Sequence, residues 1–128
     1  MAWKIVLIAM AFAMPYLARI PRSFTRGADW FWSYLPSPGA FLFFGAFNLI
    51  GLAPLAVLGF VSASKGTDTA FLATALVHMA ATFLIHQGYD LAADAQAAIG
   101  LVVFPLLVFA ITAATALVAF FAERAIRG

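Results

Sequence analysis

Two histidines, His78 and His86, stand in a stretch apolar and long enough to cross a bilayer, AFLATALVHMAATFLIHQGYDLAADAQ from Ala70 to Gln96. Thr82 lies midway, so the three recur at i, i+4 and i+8, and Asp90 and Asp94 continue the same step beyond Gly88. Ionisable groups inside a membrane are expensive, and they mark ion paths, proton relays or ligand sites. If the helix runs on past Gly88, then His86, Asp90 and Asp94 share one stripe. An imidazole followed by two carboxylates is a set that binds a divalent ion or passes protons. If Gly88 ends the helix as its C′ residue, Asp90 or Asp94 becomes the N-cap of the next helix, and His86 sits at a favourable helix C-terminus. The glycine makes this second arrangement the expected one.

At 100° and 1.5 Å per residue, His78 and His86 are about 80° apart around the axis and about 12 Å apart along it. One ion or one haem cannot be clamped by both within a single chain. Bis-histidine haem ligation would need a dimer or a partner protein. A third polar group, Asn48, lies in the apolar segment 40–61, where Pro54 leaves the carbonyl of Ile50 without its helical donor. The plain role for Asn48 and for His78 is a hydrogen bond to a neighbouring helix. The sharper one is a polar site at mid-membrane, with Asn48, His78, Thr82, His86, Asp90 and Asp94 as its candidates.

The elements that must position these groups follow from composition. Of 128 residues, 66% are hydrophobic and 9% charged, and the mean hydropathy is +1.05. A soluble domain carries about 25% charged residues, so lipid must solvate most of this surface. At about 20 apolar residues per crossing the chain has room for at most four spans and no separate soluble domain. Cysteine is absent, which excludes disulfides, thiolate metal sites and cysteine nucleophiles. The seven basic residues form no cluster of the kind nucleic acid requires, and no nucleic-acid partner is expected.

The first apolar segment, 3–20, lies between Lys4 and Arg19 and is short for a bilayer. Its charged ends are expected to snorkel outward to the headgroups. Alternatives are an interfacial helix or a signal peptide with Ala11-Phe12-Ala13 as the small-residue site. The connector 21–38 places Arg22 and Arg26 before Trp30, Trp32 and Tyr34. With Arg19, these read as a surface-lying belt of arginines and aromatics at the headgroups. Ser37 and Pro38 then open the second long helix as N-cap and first helical residue. Asp68 or Thr69 caps the third, and Glu123 pairs with Arg127 at i,i+4. Small residues on the last helix, Ala110/Ala114 and Thr112/Ala116/Ala119, permit close helix contact. Gly51 and Pro54 are weakly echoed by Gly100 and Pro105, a pattern that in transporters accompanies repeats.

With four crossings, Lys4, Lys65, Arg124 and Arg127 fall on one side and Arg19, Arg22 and Arg26 on the other. Positive charge therefore sets no clear orientation.

In length and helix count the chain resembles fluoride channels, with Asn48 in a Phe-rich second helix. It has Ala80-Ala81-Thr82-Phe83 where their Thr/Ser signature stands. Small multidrug transporters are similar in length but carry a glutamate in the first helix, which this chain lacks. The anchor subunits of succinate and fumarate oxidoreductases resemble it in His78 with Tyr89-Asp90 downstream. Their arginine on the preceding helix has no counterpart. None of these likenesses spans enough of the chain to assign a family.

The expectation is an all-α, small polytopic integral membrane bundle, one membrane domain over 1–128. Its four transmembrane helices are placed at about 3–20, 40–61, 70–88 and 95–122. No nucleophile elbow, phosphate loop or zinc-protease helix is present, so no enzyme activity, cofactor or metal is expected. The expected role is a non-catalytic accessory or anchor subunit of a membrane complex, or a self-associating bundle, multi-pass in a bacterial inner membrane. Its partners are then the lipid bilayer and another membrane protein or a second copy. A small transporter or channel using Asn48, His78 and His86 is the alternative, and a haem- or quinone-associated anchor the third possibility.

Overall fold

The computed structural model describes residues 1–93 and 96–128; the candidate Asp94 lies outside the described residues. The chain forms α1 (Ala2–Leu17), α2 (Ile20–Arg26), α3 (Asp29–Trp32), α4 (Pro38–Lys65), α5 (Asp68–His86) and α6 (Ala97–Arg127). Among the described residues four stretches are long and apolar enough to cross a membrane: Ala2–Arg26, Pro38–Lys65, Asp68–His86 and Ala97–Arg127. The protein is thus an all-helical, multi-pass membrane bundle, its spans running up, down, up and down. One end of the bundle is marked by Lys4 and the other by Arg19.

The first crossing is short because α1 supplies only about 24 Å at 1.5 Å per residue. The extension at its far end comes from α2, which follows after a brief break at Ala18 and Arg19. The second begins where its local chemistry dictates. The Ser37 hydroxyl accepts the Ala40 amide at 3.1 Å, and Pro38, with no amide to lose, takes the first position. It closes at Gly66, whose left-handed φ of 66° lets its amide reach back to the Ser62 carbonyl.

α5 starts differently from the expectation. Thr67 occupies the N-cap without a side-chain cap bond, and neither Asp68 nor Thr69 caps the helix. The cap comes from the far end of the chain: Glu123 on α6 accepts the Ala70 amide at 2.6 Å and holds Arg127 at 2.6 Å. A carboxylate at a helix N-terminus satisfies an orphan donor and the helix dipole together.

Lys4 also departs from the expected course. It does not snorkel outward but is 4% exposed, donating to Ser62 at 2.7 Å and pairing with Asp68 at 2.5 Å. One buried cation thereby ties the first, second and third crossings at this end.

The core is layered. Ala11, Leu52, Leu55, Leu58, Phe71 and Ala75 form a hydrocarbon layer across α1, α4 and α5. A second cluster, Tyr16, Tyr34 and Leu101, fills the Arg19 end. The α4–α6 contact is so close that a Cβ on Gly51 would lie 2.9 Å from the Pro105 carbonyl oxygen. Small residues let membrane helices approach like this. Gly51 and Pro105 meet here, and of the small residues expected on α6 Ala116 packs against the hydrocarbon layer. Ala110 and Ala114 are exposed, and Thr112 is buried against α5.

Candidate functional site

α5 presents one polar face to the interior. Thr74, His78, Thr82 and His86 are all buried on it, at the spacing that a 3.6-residue period brings together. Their partners lie on other elements. His78 Nδ1 meets Thr112 Oγ1 of α6 at 2.8 Å, and His86 Nδ1 meets the Tyr34 hydroxyl at 2.9 Å. The Thr74 hydroxyl turns back onto the Ala70 carbonyl of its own helix at 2.8 Å.

Between the two histidines the bundle is not filled. One small cavity is lined by Asn48, His78, Thr82 and His86, together with Pro15 and Pro105. A second, sharing Pro15, Asn48 and His86 with the first, is closed by Tyr16 and Tyr34. Each leaves about 10 Å³ for the centre of a water molecule. The structure therefore gathers four of the sequence candidates, Asn48, His78, Thr82 and His86, around one enclosed space. It also adds two prolines from facing helices, each of which removes a helical donor. Pro54, by contrast, lines an outer groove between α4 and α6.

Asp90 does not belong to this space. α5 stops at His86, so no helical stripe carries His86 on to Asp90. Gly88 does not stop it as a left-handed C′ residue, since its φ is not positive. Its open side faces Arg22 instead: a Cβ there would sit 3.2 Å from the guanidinium, a tight approach to a flexible side chain. Asp90 is exposed and accepts the Ala92 amide at 2.9 Å within its own turn. It does not cap α6 either, whose N-cap is Gln96. Among the described residues no three of His, Cys, Asp or Glu converge as metal ligands.

The belt expected at the headgroups divides in two. Trp32 is 58% exposed and Arg26 is also exposed, with its guanidinium 4.8 Å from the Trp30 ring. Arg22 is half-buried over Gly88. Arg19, Trp30 and Tyr34 instead turn inward and are buried. The Arg19 guanidinium lies 3.9 Å from the Trp30 ring centre and 4.2 Å from that of Tyr34. It donates to the carbonyls of Trp30 at 2.9 Å, His86 at 3.0 Å and Tyr89. The last two are orphan acceptors at and just beyond the end of α5, so a cation completes that helix end. Trp30 adds a bond from its indole N–H to the Gln87 carbonyl at 3.2 Å. Burial pushes the Tyr34 phenol above its ordinary pKa, with the Arg19 charge pulling the other way.

Arg19 is the residue whose role the sequence hid most. Its only signals were its place at a helix end and the aromatic run about ten residues later.

On the outside, α4 and α6 leave an apolar groove of about 440 Å³, floored by Ala53, Ala113 and Ala116 and walled by Val57, Phe109 and Phe120. Comparison of the chain with protein-family models, curated proteins and solved structures finds no match.

Proposed function

We propose that this protein is a non-catalytic accessory or anchor subunit, packing by its outer helix faces against other membrane helices, those of a larger complex or of a second copy. The membrane proposed is a bacterial inner one; helical spans support inner over outer, because outer-membrane spans are closed β-barrels. The observation that carries the reading is how the polar groups are spent. Arg19, His86 and Tyr34 tie the connector to the end of α5; His78 ties α5 to α6; Lys4 and Glu123 tie the other end. Each joins helices, which is the use polar side chains have as interhelical glue.

The transporter reading has one observation in its favour, the shared cavity of Asn48, His78, Thr82 and His86. Against it stands the hydrocarbon layer. On α4 the order is Asn48, then Leu52, Leu55 and Leu58, then Ser62; on α5 it is His78, then Ala75, Thr74 with its hydroxyl turned back onto the Ala70 carbonyl, and Phe71, then Asp68. From His78 to Phe71 is about 10 Å of helix, enough hydrocarbon to stop an ion or proton. The haem-anchor reading has less support, because drug-sized and larger ligands occupy sites of roughly 300–1,000 Å³ and the space beside the histidines is water-sized.

Mass measurement of the chain extracted in lipid nanodiscs tests the proposal. A complex larger than one chain, held through α4 and α6 and weakened by Ala113→Phe, is expected. A strictly monomeric, partnerless species overturns it. Flux in liposomes that is lost on replacing His78 and His86 by Ala would put the transporter reading in its place.

A further inference from the structure

We infer that the two cavities at the Arg19 end are a water-binding site, and that the bound water joins the two histidine–hydroxyl pairs into one hydrogen-bonded chain inside the bundle. Three observations lead there. The first is unmet valence. The Thr82 hydroxyl, 2% exposed, has no protein partner, and the Tyr16 hydroxyl, 8% exposed, lies beside Asn48 with no aligned partner. In hydrocarbon a hydroxyl left unsatisfied costs several kcal/mol, far more than fixing a water beside it.

The second is size. The space in each cavity is close to the ~10–15 Å³ that one water needs, and too small for anything larger. The third is placement. A buried water requires two to four polar partners. One cavity offers Thr82, Asn48 and the two imidazoles; the other offers Tyr16, Tyr34, Asn48 and His86. Because Asn48 and His86 line both, water in each meets the same amide and the same ring. An amide carries both donors and acceptors and so serves both.

The resulting chain runs from Tyr34 through His86, water and Thr82 to His78 and Thr112. It ends at Thr112, beside the hydrocarbon layer. No charge is required for it: imidazole, hydroxyl and amide each hydrogen-bond while neutral, and Arg19 is already held by carbonyls. This inference does not depend on the chain having a partner, and its test is separate from the mass measurement.

The experiment is water-edited solid-state NMR on the full chain, labelled with ¹⁵N-histidine, in phosphatidylcholine–phosphatidylglycerol liposomes. With only two histidines in the sequence, two sets of ring nitrogens are observed. Rapid magnetisation transfer from water to both rings is expected, although both are buried. Thr82→Val, nearly isosteric but without the hydroxyl, should reduce transfer to His78 several-fold, and Thr82→Ser should restore it. Asn48→Leu gives the same reading should Thr82→Val not fold. Absence of transfer to either ring overturns the inference, as does transfer that neither variant changes. A ring signal or melting temperature that shifts on exchanging Na⁺ for K⁺ would mean a cation occupies the chamber, and overturns it equally.

Discussion

Arg19 shows how a single side chain can hold several elements at once. It starts from the break between α1 and α2, stacks on Trp30 and Tyr34, and donates to carbonyls on α3 and at the end of α5. Hydrogen bonds from a charged donor contribute about 1.5–3 kcal/mol each, and buried acceptors left alone add their own penalty. Arg19→Gln should therefore lower stability by about 3 kcal/mol or more, read as a fall in melting temperature in mild detergent. Arg19→Lys should recover little of this, because an ammonium neither stacks nor spreads its donors in a planar fork.

Tyr34 makes a different prediction. Burial raises its phenol pKa above the ordinary value near 10. The folded chain therefore holds this proton more tightly than the unfolded one. Its contribution to stability is complete below about pH 10 and falls as pH rises beyond it, because the unfolded phenol ionises first. Denaturation followed against pH should show this alkaline loss in the native chain and a smaller one in Tyr34→Phe. A flat profile common to both would contradict it.

At the scale of elements, what decides the geometry is where backbones touch. A Cβ on Gly51 would meet the backbone of Pro105, which cannot rotate away, so α4 and α6 must part to admit it. Gly51→Ala should cost about 1–3 kcal/mol as an overpacked site. Gly39→Ala, where a Cβ meets only the Ser37 hydroxyl at 3.9 Å, should cost nothing. Comparing the two melting temperatures separates packing from helix propensity.

The same scale shows what could be read from the chain alone. The long helices and the i, i+4, i+8 spacing of His78, Thr82 and His86 were legible because hydropathy and the 3.6-residue period are local properties. Ser37 and Pro38 were legible for the same reason. Lys4, Arg19 and Glu123 were not. A charged residue at a helix end looks the same whether it snorkels to headgroups or turns inward, and the choice rests on partners far away in sequence. For Lys4 they are Ser62 and Asp68; for Glu123 it is the Ala70 amide; for Arg19 they include the carbonyls of His86 and Tyr89. Asp90 was misplaced through one assumption about Gly88, which accommodates Arg22 instead of turning the helix.

For the whole molecule the near balance of basic residues becomes a physical prediction. Four crossings put both ends of the sequence on the same side, with Lys4, Lys65, Arg124 and Arg127. The opposite side carries Arg19, Arg22 and Arg26. Orientation follows the excess of Lys and Arg on the cytoplasmic side, and carboxylates contribute little to it. Pairing of Lys4 with Asp68 or of Arg127 with Glu123 therefore does not alter the count. Four against three is no decisive excess, so the native chain should insert in both directions. Small changes should then tip it. Lys65→Ala with Arg124→Ala, which turns the balance to three against two for the connector side, should shift the population toward the connector in the cytoplasm, whereas Arg22→Ala with Arg26→Ala should leave the termini there. Because the sequence has no cysteine, a single Gly128→Cys gives an unambiguous probe. Labelling it with a membrane-impermeant maleimide in intact cells and in opened ones should show two populations for the native chain, nearly one for the Arg22 and Arg26 variant, and a balance shifted in the opposite sense for the Lys65 and Arg124 variant. A native chain labelled from one side only, and unmoved by either pair of substitutions, would mean that something other than the basic residues sets its direction.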